Sequence, residues 1–197
     1  DFDALEKISN TAEKLSAGEI LQIEKSITKS MTEDVYFDMI NQKTASLIAT
    51  CCELGAITTT KKDQDRSATF KYGDNLGMAF QIKDDLFDLL GKESDTGKNS
   101  GTDVKKNMMT LPLIFSYANM TRLENRQLKK LMGLKNKTRK NLIDIRGMVS
   151  VAGGFDYARK KLDDFSNNAL DAIAIYPNSP VKQSLSDLVA FNAYRVK

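Results

Sequence analysis

The sequence contains no histidine among its 197 residues. This absence excludes Ser-His-Asp and Cys-His catalysis, zinc sites that use imidazole, and di-iron bundles built on Glu-x-x-His motifs. Any acid, base or metal chemistry therefore has to come from carboxylates, lysines and amides.

Proline and glycine are also scarce, with three prolines and eleven glycines, and the first proline is Pro112. Because these residues interrupt helices, their scarcity favours long helices. Apolar residues recur with helical spacing, and no segment has the pattern of a strand. The sequence predicts an all-α fold, and its length suits a single domain over residues 1–197.

The small number of cysteines, the lack of long apolar runs and the low net charge exclude further classes of protein. The only two cysteines, Cys51 and Cys52, are adjacent, which is poor geometry for a disulfide, and nothing at the start resembles a signal peptide. No apolar run approaches the ~18 residues of a membrane span. The net charge of +3, from 29 basic and 26 acidic residues, is too small for a nucleic-acid-binding face. We expect a soluble cytoplasmic protein whose anionic ligands are small.

The first helical pattern has an apolar face that polar residues continue. Leu5, Ile8, Ala12 and Leu15 form that face, and Glu19 and Gln22 follow on it. The second pattern, from Thr32 to Gly55, has an apolar face of Tyr36, Ile40, Leu47 and Leu54. Lys43 falls in the middle of this second face, beside Thr44. Its ammonium either extends to solvent along the core edge or points into a polar cavity.

A third helical pattern, over residues 65–90, is apolar on two nearly opposite sides, which predicts that it is buried. Asp84 and Asp88 lie one turn apart on a narrow polar edge between these sides, with Asp85 beside them. Buried like charges need protons or cations, and carboxylate oxygens suit Mg²⁺, which also binds substrate phosphates. The alternative is an acidic patch on a solvated face. Gln81, on the same edge, is either a satisfied buried amide or a ligand contact, and so is Gln22.

Two other segments look similar to functional motifs. Asp163, Asp164 and Asn167 imitate the aspartate motif, but the apolar face of their helix points away from them, so we expect them to be exposed. The predicted loop 91–107 contains TGKNSGTD, which lacks the spacing of a phosphate-binding P-loop. Lys98 in this loop either reaches a phosphate as a mobile charge or is solvated.

Together these motifs resemble a known family. GDNLGMAFQIKDDLFDLLG, TGKNSGTD and MTLPLIF, preceded by AGEILQ and KTASLIA, resemble the region around the second aspartate-rich motif of trans-isoprenyl (polyprenyl) diphosphate synthases of the medium- and long-chain type. The resemblance implies an isoprenoid-synthase-like helical bundle around a central cavity. This chain would be its C-terminal portion, with the N-terminal helices missing from this chain.

The resemblance also implies a function, namely a Mg²⁺-dependent trans-prenyltransferase of isoprenoid biosynthesis. Such an enzyme condenses an allylic diphosphate with isopentenyl diphosphate to give a polyprenyl diphosphate. It would be a cytoplasmic homodimer that binds no nucleic acid and contacts membranes at most peripherally, through its product.

The family's site residues can be transferred to matching positions of this sequence. The metal ligands would be Asp84, Asp85 and Asp88, with Asp84 the most direct one. The catalytic residues, which also bind substrate, would be Lys43, Thr44, Gln81 and Lys98. Asp103 would support the site structurally.

Two departures from the family pattern suggest an alternative. The first aspartate-rich motif and the isopentenyl diphosphate ligands would lie upstream of residue 1, so the chain alone is expected to be inactive. Met108 stands where the family usually has a lysine, although Lys105 and Lys106 are close. The alternative function is a non-catalytic helical subunit that dimerises with or regulates an active synthase. A helical bundle with an incidental aspartate cluster is a third interpretation.

Overall fold

A computed structural model describes residues 2–28, 30–90 and 101–195, and all regular elements in them are helical, which confirms the predicted fold class. A π-helical turn, Asn41–Ala45, lies between α2 and α3. The α-helices are α1 (Phe2–Thr28), α2 (Glu33–Ile40), α3 (Ser46–Ile57), α4 (Asp63–Leu90), α5 (Thr102–Lys105), α6 (Leu111–Asn119), α7 (Arg122–Met132), α8 (Arg139–Val151), α9 (Gly154–Ala172) and α10 (Pro180–Tyr194). None of these helices has the length and hydropathy needed to cross a membrane.

Local capping signals set several helix ends. Thr121 and Glu124 form a reciprocal capping box at the start of α7, and Gly133 is its C-cap. The predicted end of the second helical pattern at Gly55 is wrong, because α3 continues to Ile57 with Thr58 as its C-cap. The predicted loop also differs, since its described part contains the short helix α5.

The π-helical turn leads into α3, whose buried face differs from the predicted one. The Ser46 amide donates to the Asn41 carbonyl, five residues back, so this turn is wider than an α-helical one. Leu47 is exposed and Leu54 only half-buried, contrary to the predicted apolar face. The buried residues of α3 are instead Ser46, Ala49, Thr50, Glu53 and Ala56.

Helix α1 also packs with a different face from the predicted one. Its buried residues are Thr11 and Gly18, whereas Leu5 and Ile8 are exposed. Thr11 shares a 2.7 Å hydrogen bond with Thr50 through their hydroxyls. A Cβ on Gly18 would lie 2.6 Å from the Lys43 amide nitrogen. The close contacts of α1 with Thr50 and Lys43 are therefore made by small residues, and not by the predicted apolar face.

The chain divides into two compact units. The first contains the described residues of 2–23, 37–81 and 161–195. One cluster of its core consists of Tyr72, Leu76, Ala169, Ile173 and Val189. The Tyr72 hydroxyl satisfies its polar requirement by donating to the Leu185 carbonyl at 2.9 Å.

The second unit contains the described residues of 24–36 and 82–160. Its fully buried side chains include Leu111, Leu113, Leu128, Ile145 and Val149. The Phe115 ring stacks on Tyr157 with 4.1 Å between ring centroids. A Cβ on Gly154 would lie 2.4 Å from the Pro112 carbonyl oxygen, so the start of α9 passes α6 at backbone contact.

Candidate active site

A row of small residues brings α4 against the π-helical turn and α3. A Cβ on Gly73 would lie 2.7 Å from the Ile48 carbonyl oxygen. A Cβ on Gly77 would lie 2.5 Å from the Cα of Ala45. Glycine at both positions permits this close approach. Gln81 lies one helical turn after Gly77, so the same close approach places it beside the π-helical turn.

Gln81 and Thr44, both predicted site residues, are in direct contact in the first unit. The Thr44 hydroxyl donates to Gln81 Oε1 at 3.0 Å. Both side chains are half-buried. The contact orients the Gln81 carbonyl toward Thr44.

The sequence left two orientations open for the Lys43 ammonium, toward solvent or into a polar cavity. In the structure the ammonium lies between these two positions. Its ammonium donates to Gln22 Oε1 and lies 3.2 Å from Glu19 Oε1, with the side chain 30% exposed. These partners are the polar residues that continue the apolar face of α1. The ammonium is therefore held among polar groups at a partly open position, where a second anion can reach it.

The π-helical turn itself contains Lys43 and Thr44. Such turns occur in proteins mostly as local insertions, frequently at functional sites, because the wider turn re-aims the side chains. Nothing in the periodicity of the sequence indicated it.

Asp85 is buried in the second unit and accepts a hydrogen bond from a buried tyrosine. The Tyr36 hydroxyl donates to Asp85 Oδ2 at 2.7 Å. Burial, followed by the negative charge of Asp85, holds the pKa of Tyr36 well above its ordinary value of 10.0. The phenol therefore remains a neutral donor to the carboxylate.

Asp88 binds the backbone at the start of α5. Its Oδ1 accepts from the Thr102 amide and its Oδ2 from the Asp103 amide, both at 2.9 Å. The Asp88 carbonyl oxygen accepts from the Gly101 amide at 2.8 Å. Gly101 has φ of +75°, a conformation that favours glycine. Asp88 thus anchors the chain where it enters α5.

Asp84 is half-exposed, and Lys98 lies outside the described residues. Over residues 2–28, 30–90 and 101–195, no three His, Cys, Asp or Glu side chains form a group that could hold a metal ion. Mg²⁺ is commonly bound by only one or two carboxylates, with water and phosphate oxygens completing its shell. Asp84 has the right donor chemistry and exposure for this, and Asp88 retains lone pairs beyond its two amide contacts. The residues present fit a Mg²⁺ ion held largely by a diphosphate.

Asp163, Asp164 and Asn167 are exposed, as predicted for the segment that imitates the aspartate motif. Leu162 and Ala169 on the opposite face of α9 are buried.

Two polar pairs, Tyr36 with Asp85 and Asn41 with Asp74, were not predicted from the sequence. Tyr36 was assigned to an apolar face, although a buried tyrosine hydroxyl needs a partner and could have indicated Asp85. Asn41 donates to Asp74 Oδ1 at 2.7 Å, and burial raises the pKa of Asp74 despite this contact. No signal in the sequence indicated the second pair, because it depends on the π-helical turn.

Comparison with known proteins gives the same family along most of the chain. Residues 1–147 match the Polyprenyl synthetase family model. The chain is 31% identical to the all-trans-nonaprenyl-diphosphate synthase (geranyl-diphosphate specific) of Rhodobacter capsulatus, over 93% of this chain and 56% of that protein. It is 27% identical to the octaprenyl diphosphate synthase of Escherichia coli strain K12, over 93% of this chain and 57% of that protein. The chain thus spans about half the length of the curated relatives it matches.

Comparison with solved structures leads to the same family. A crystal structure of polyprenyl synthase from Caulobacter crescentus CB15, complexed with calcium and isoprenyl diphosphate, matches with a TM-score of 0.91 and 29% identity, over 99% of this chain and 60% of that one. A decaprenyl diphosphate synthase from Rhodobacter capsulatus matches with a TM-score of 0.91 and 30% identity, over 100% of this chain and 61% of that one. The isoprenoid-synthase type of helical fold is thereby confirmed. With three quarters of its residues matched by the family model, the chain belongs to the polyprenyl synthetase family.

Proposed function

We propose that the complete protein is a chain-elongating trans-prenyltransferase that condenses an allylic diphosphate with isopentenyl diphosphate in a Mg²⁺-dependent reaction. The observation that carries this proposal is the match to medium- and long-chain synthases over nearly the whole chain, together with a family model whose span contains the DDLFD segment and the Lys43–Thr44 pair. Activity would require the remaining half of the length that the relatives have.

In the proposed reaction, the C–O bond of the allylic diphosphate breaks and diphosphate leaves with the electron pair. The double bond of isopentenyl diphosphate attacks the allylic cation, a C–C bond forms, and loss of a proton restores a double bond. No histidine is needed for these steps. Apolar walls would protect the cation from water.

Lys43, Thr44, Gln81 and Lys98 would bind the diphosphate or face the allylic cation. The Lys43–Glu19 pair is partly solvated, and such pairs contribute only about 0–1 kcal/mol. A diphosphate, with its higher charge, would therefore displace Glu19 from the ammonium at little cost. The Gln81 carbonyl, freed from Thr44, would offer a dipole to a developing cation.

Asp84, with support from Asp88 and Asp85, would hold Mg²⁺. When bound, the ion neutralises charge on the departing diphosphate. Asp88 would keep the chain entering α5 in place through its two amide contacts. The calcium and isoprenyl diphosphate in the Caulobacter crescentus complex support a divalent cation and a diphosphate ligand.

We further propose a homodimer in the cytoplasm, with membrane contact at most through the product. Cys51 and Cys52 are free thiols, which is in keeping with a reducing compartment. The Neurospora crassa relative, at 27% identity, is named a probable mitochondrial hexaprenyl pyrophosphate synthase.

The test is incubation of the complete protein with farnesyl diphosphate, labelled isopentenyl diphosphate and Mg²⁺. We expect labelled polyprenyl diphosphate, and we expect EDTA to abolish it. Absence of elongation with Mg²⁺ would contradict the proposal.

One observation favours a second candidate, a non-catalytic subunit of a synthase. Met108 replaces the lysine usual in the family, so one diphosphate contact is lost or supplied by another residue. This candidate predicts no elongation by the protein alone, together with altered turnover of an active synthase on mixing. The same assay therefore distinguishes the two.

A further inference from the structure

The second unit contains a cavity of about 1110 Å³ between α6, α7 and the residues that precede α2 and α6. None of the described residues assigned to the candidate active site lines it. Ligand pockets in proteins are typically about 300–1,000 Å³. The volume lies slightly above this range, so it has room for one extended small molecule, and a concave site of this size differs from the flat surface that docks on a bilayer.

The floor of the cavity is apolar and rich in methionine. Met31, Met109, Met120 and Met132 line it, together with Ile114. Met132 and Ile114 are buried, and the other three are half-buried. Unbranched, polarisable thioethers adapt to irregular apolar ligands. The floor is suited to a flexible hydrocarbon chain.

Among the described residues, the charged side chains that line the cavity are all positive. Arg122, Arg126 and Lys129 line it, at spacings of four and three residues that place them along one side of α7. They are exposed, and no carboxylate of the described chain forms a salt bridge with them. The three extend over about 10 Å of the helix axis. This row complements an anionic head group with several acceptor oxygens.

The polar groups inside the cavity hold its walls together. The Asn125 side-chain amide donates to the Tyr117 carbonyl at 3.0 Å and to the Met120 carbonyl at 3.2 Å, which joins α7 to the end of α6. Burial raises the pKa of Tyr117 to about 12, so this side chain adds no negative charge. The described walls of the cavity are therefore preformed, and no acidic residue is among them.

From these features we propose that the cavity binds a single-chain amphiphile, with its hydrocarbon chain on the methionine floor and its phosphate-type head on Arg122, Arg126 and Lys129. Charge complementarity selects the head, and the apolar floor selects the chain. The inference does not depend on the proposed function.

The probe is dodecyl phosphate, titrated by calorimetry below its micelle-forming concentration into the complete protein without Mg²⁺. The double variant Arg122→Glu/Arg126→Glu should bind it at least about tenfold more weakly, because two charge-assisted contacts become repulsive. The matched control is Arg139→Glu/Lys140→Glu, which makes the same charge change at exposed positions of α8 that do not line the cavity. The control should bind as the unmodified protein does.

The unmodified protein supplies a second measurement that does not depend on variants folding. Butyl phosphate should bind at least about a hundredfold more weakly than dodecyl phosphate, since eight fewer methylene groups are buried. Equal binding of butyl and dodecyl phosphate, or of inorganic phosphate, would overturn the proposal. Equal losses in both double variants would also overturn it, by showing non-specific attraction. Recruitment to phosphatidylglycerol vesicles without binding of monomeric dodecyl phosphate would instead assign the surface to membranes.

Discussion

At the scale of single residues, the three aspartates of the DDLFD segment have different surroundings. Asp85 is buried against the Tyr36 hydroxyl, Asp88 accepts two backbone amides, and Asp84 is half-exposed. A carboxylate that is buried or that accepts two backbone amides fixes local structure, whereas the half-exposed side chain of Asp84 is accessible to a cation from solvent. Asp84 is therefore the residue whose loss should affect metal chemistry most and folding least.

Hydrogen exchange distinguishes Asp88 from Asp84. Asp88→Ala should speed exchange of the Thr102 and Asp103 amides, because both lose their acceptor, with the opening free energy lowered by about 1–3 kcal/mol. Asp84→Ala is the matched control and should leave these two amides protected. Equal exchange in the two variants would contradict the role given to Asp88.

The sequence could identify which residue types carry the chemistry, but not their partners. Lys43 was recognisable because an ammonium interrupts an apolar face, and Glu19 and Gln22 because they continue one. That these three residues meet depends on the approach of α1 at Gly18, which is a tertiary contact. Local periodicity contains no information about such a contact.

At the scale of elements, a capped helix end can be read from a short local pattern, whereas a helix face depends on what packs against it. The capping box of Thr121 with Glu124 is a local signal, because it follows from the short sequence pattern Thr-x-x-Glu. In α3, which follows the π-helical turn, Leu47 is exposed, contrary to the prediction. A face calculated with one uniform period fails beyond such a turn.

The glycine row of α4 gives a prediction about helix packing. Gly77→Ala should lower the free energy of unfolding by about 1–3 kcal/mol, because the new Cβ would lie 2.5 Å from the Cα of Ala45. Gly147→Ala is the control, since a Cβ there has no neighbour within 4 Å and helix propensity should stabilise α8 by up to about 1 kcal/mol. Urea unfolding of both variants measures the difference. A neutral or stabilising Gly77→Ala would refute the close contact.

At the scale of the whole molecule, buried tyrosines predict a loss of stability in alkali. Burial raises the pKa of Tyr72 and of Tyr117 to about 12, and it holds the pKa of Tyr36 well above the ordinary value of 10.0. In the unfolded chain these phenols ionise near pH 10. Above this pH the folded state binds more protons than the unfolded one, so the free energy of unfolding should fall as pH rises.

Tyr36→Phe tests this dependence by urea unfolding between pH 8 and pH 11. The variant should be less stable at pH 8, because Asp85 loses a donor, and its stability should fall less steeply above about pH 10. Tyr194→Phe, at a side chain that is 83% exposed, should leave both the stability and its slope unchanged. The idea fails if Tyr36→Phe retains the full alkaline slope.

Membership of the family, the all-α class and the motif positions were all accessible from sequence, because ordered short motifs determine them. The two compact units were not, since each is assembled from segments that lie far apart along the chain.

The central claim is that the complete protein elongates prenyl diphosphates with the help of Asp84. Its most direct test is the turnover of Asp84→Asn beside that of Asp164→Asn, an exposed aspartate of α9, with an allylic diphosphate, isopentenyl diphosphate and Mg²⁺. We predict that Asp84→Asn loses at least about a hundredfold in turnover with its helicity unchanged, while Asp164→Asn retains normal turnover. Normal turnover in Asp84→Asn would contradict the account.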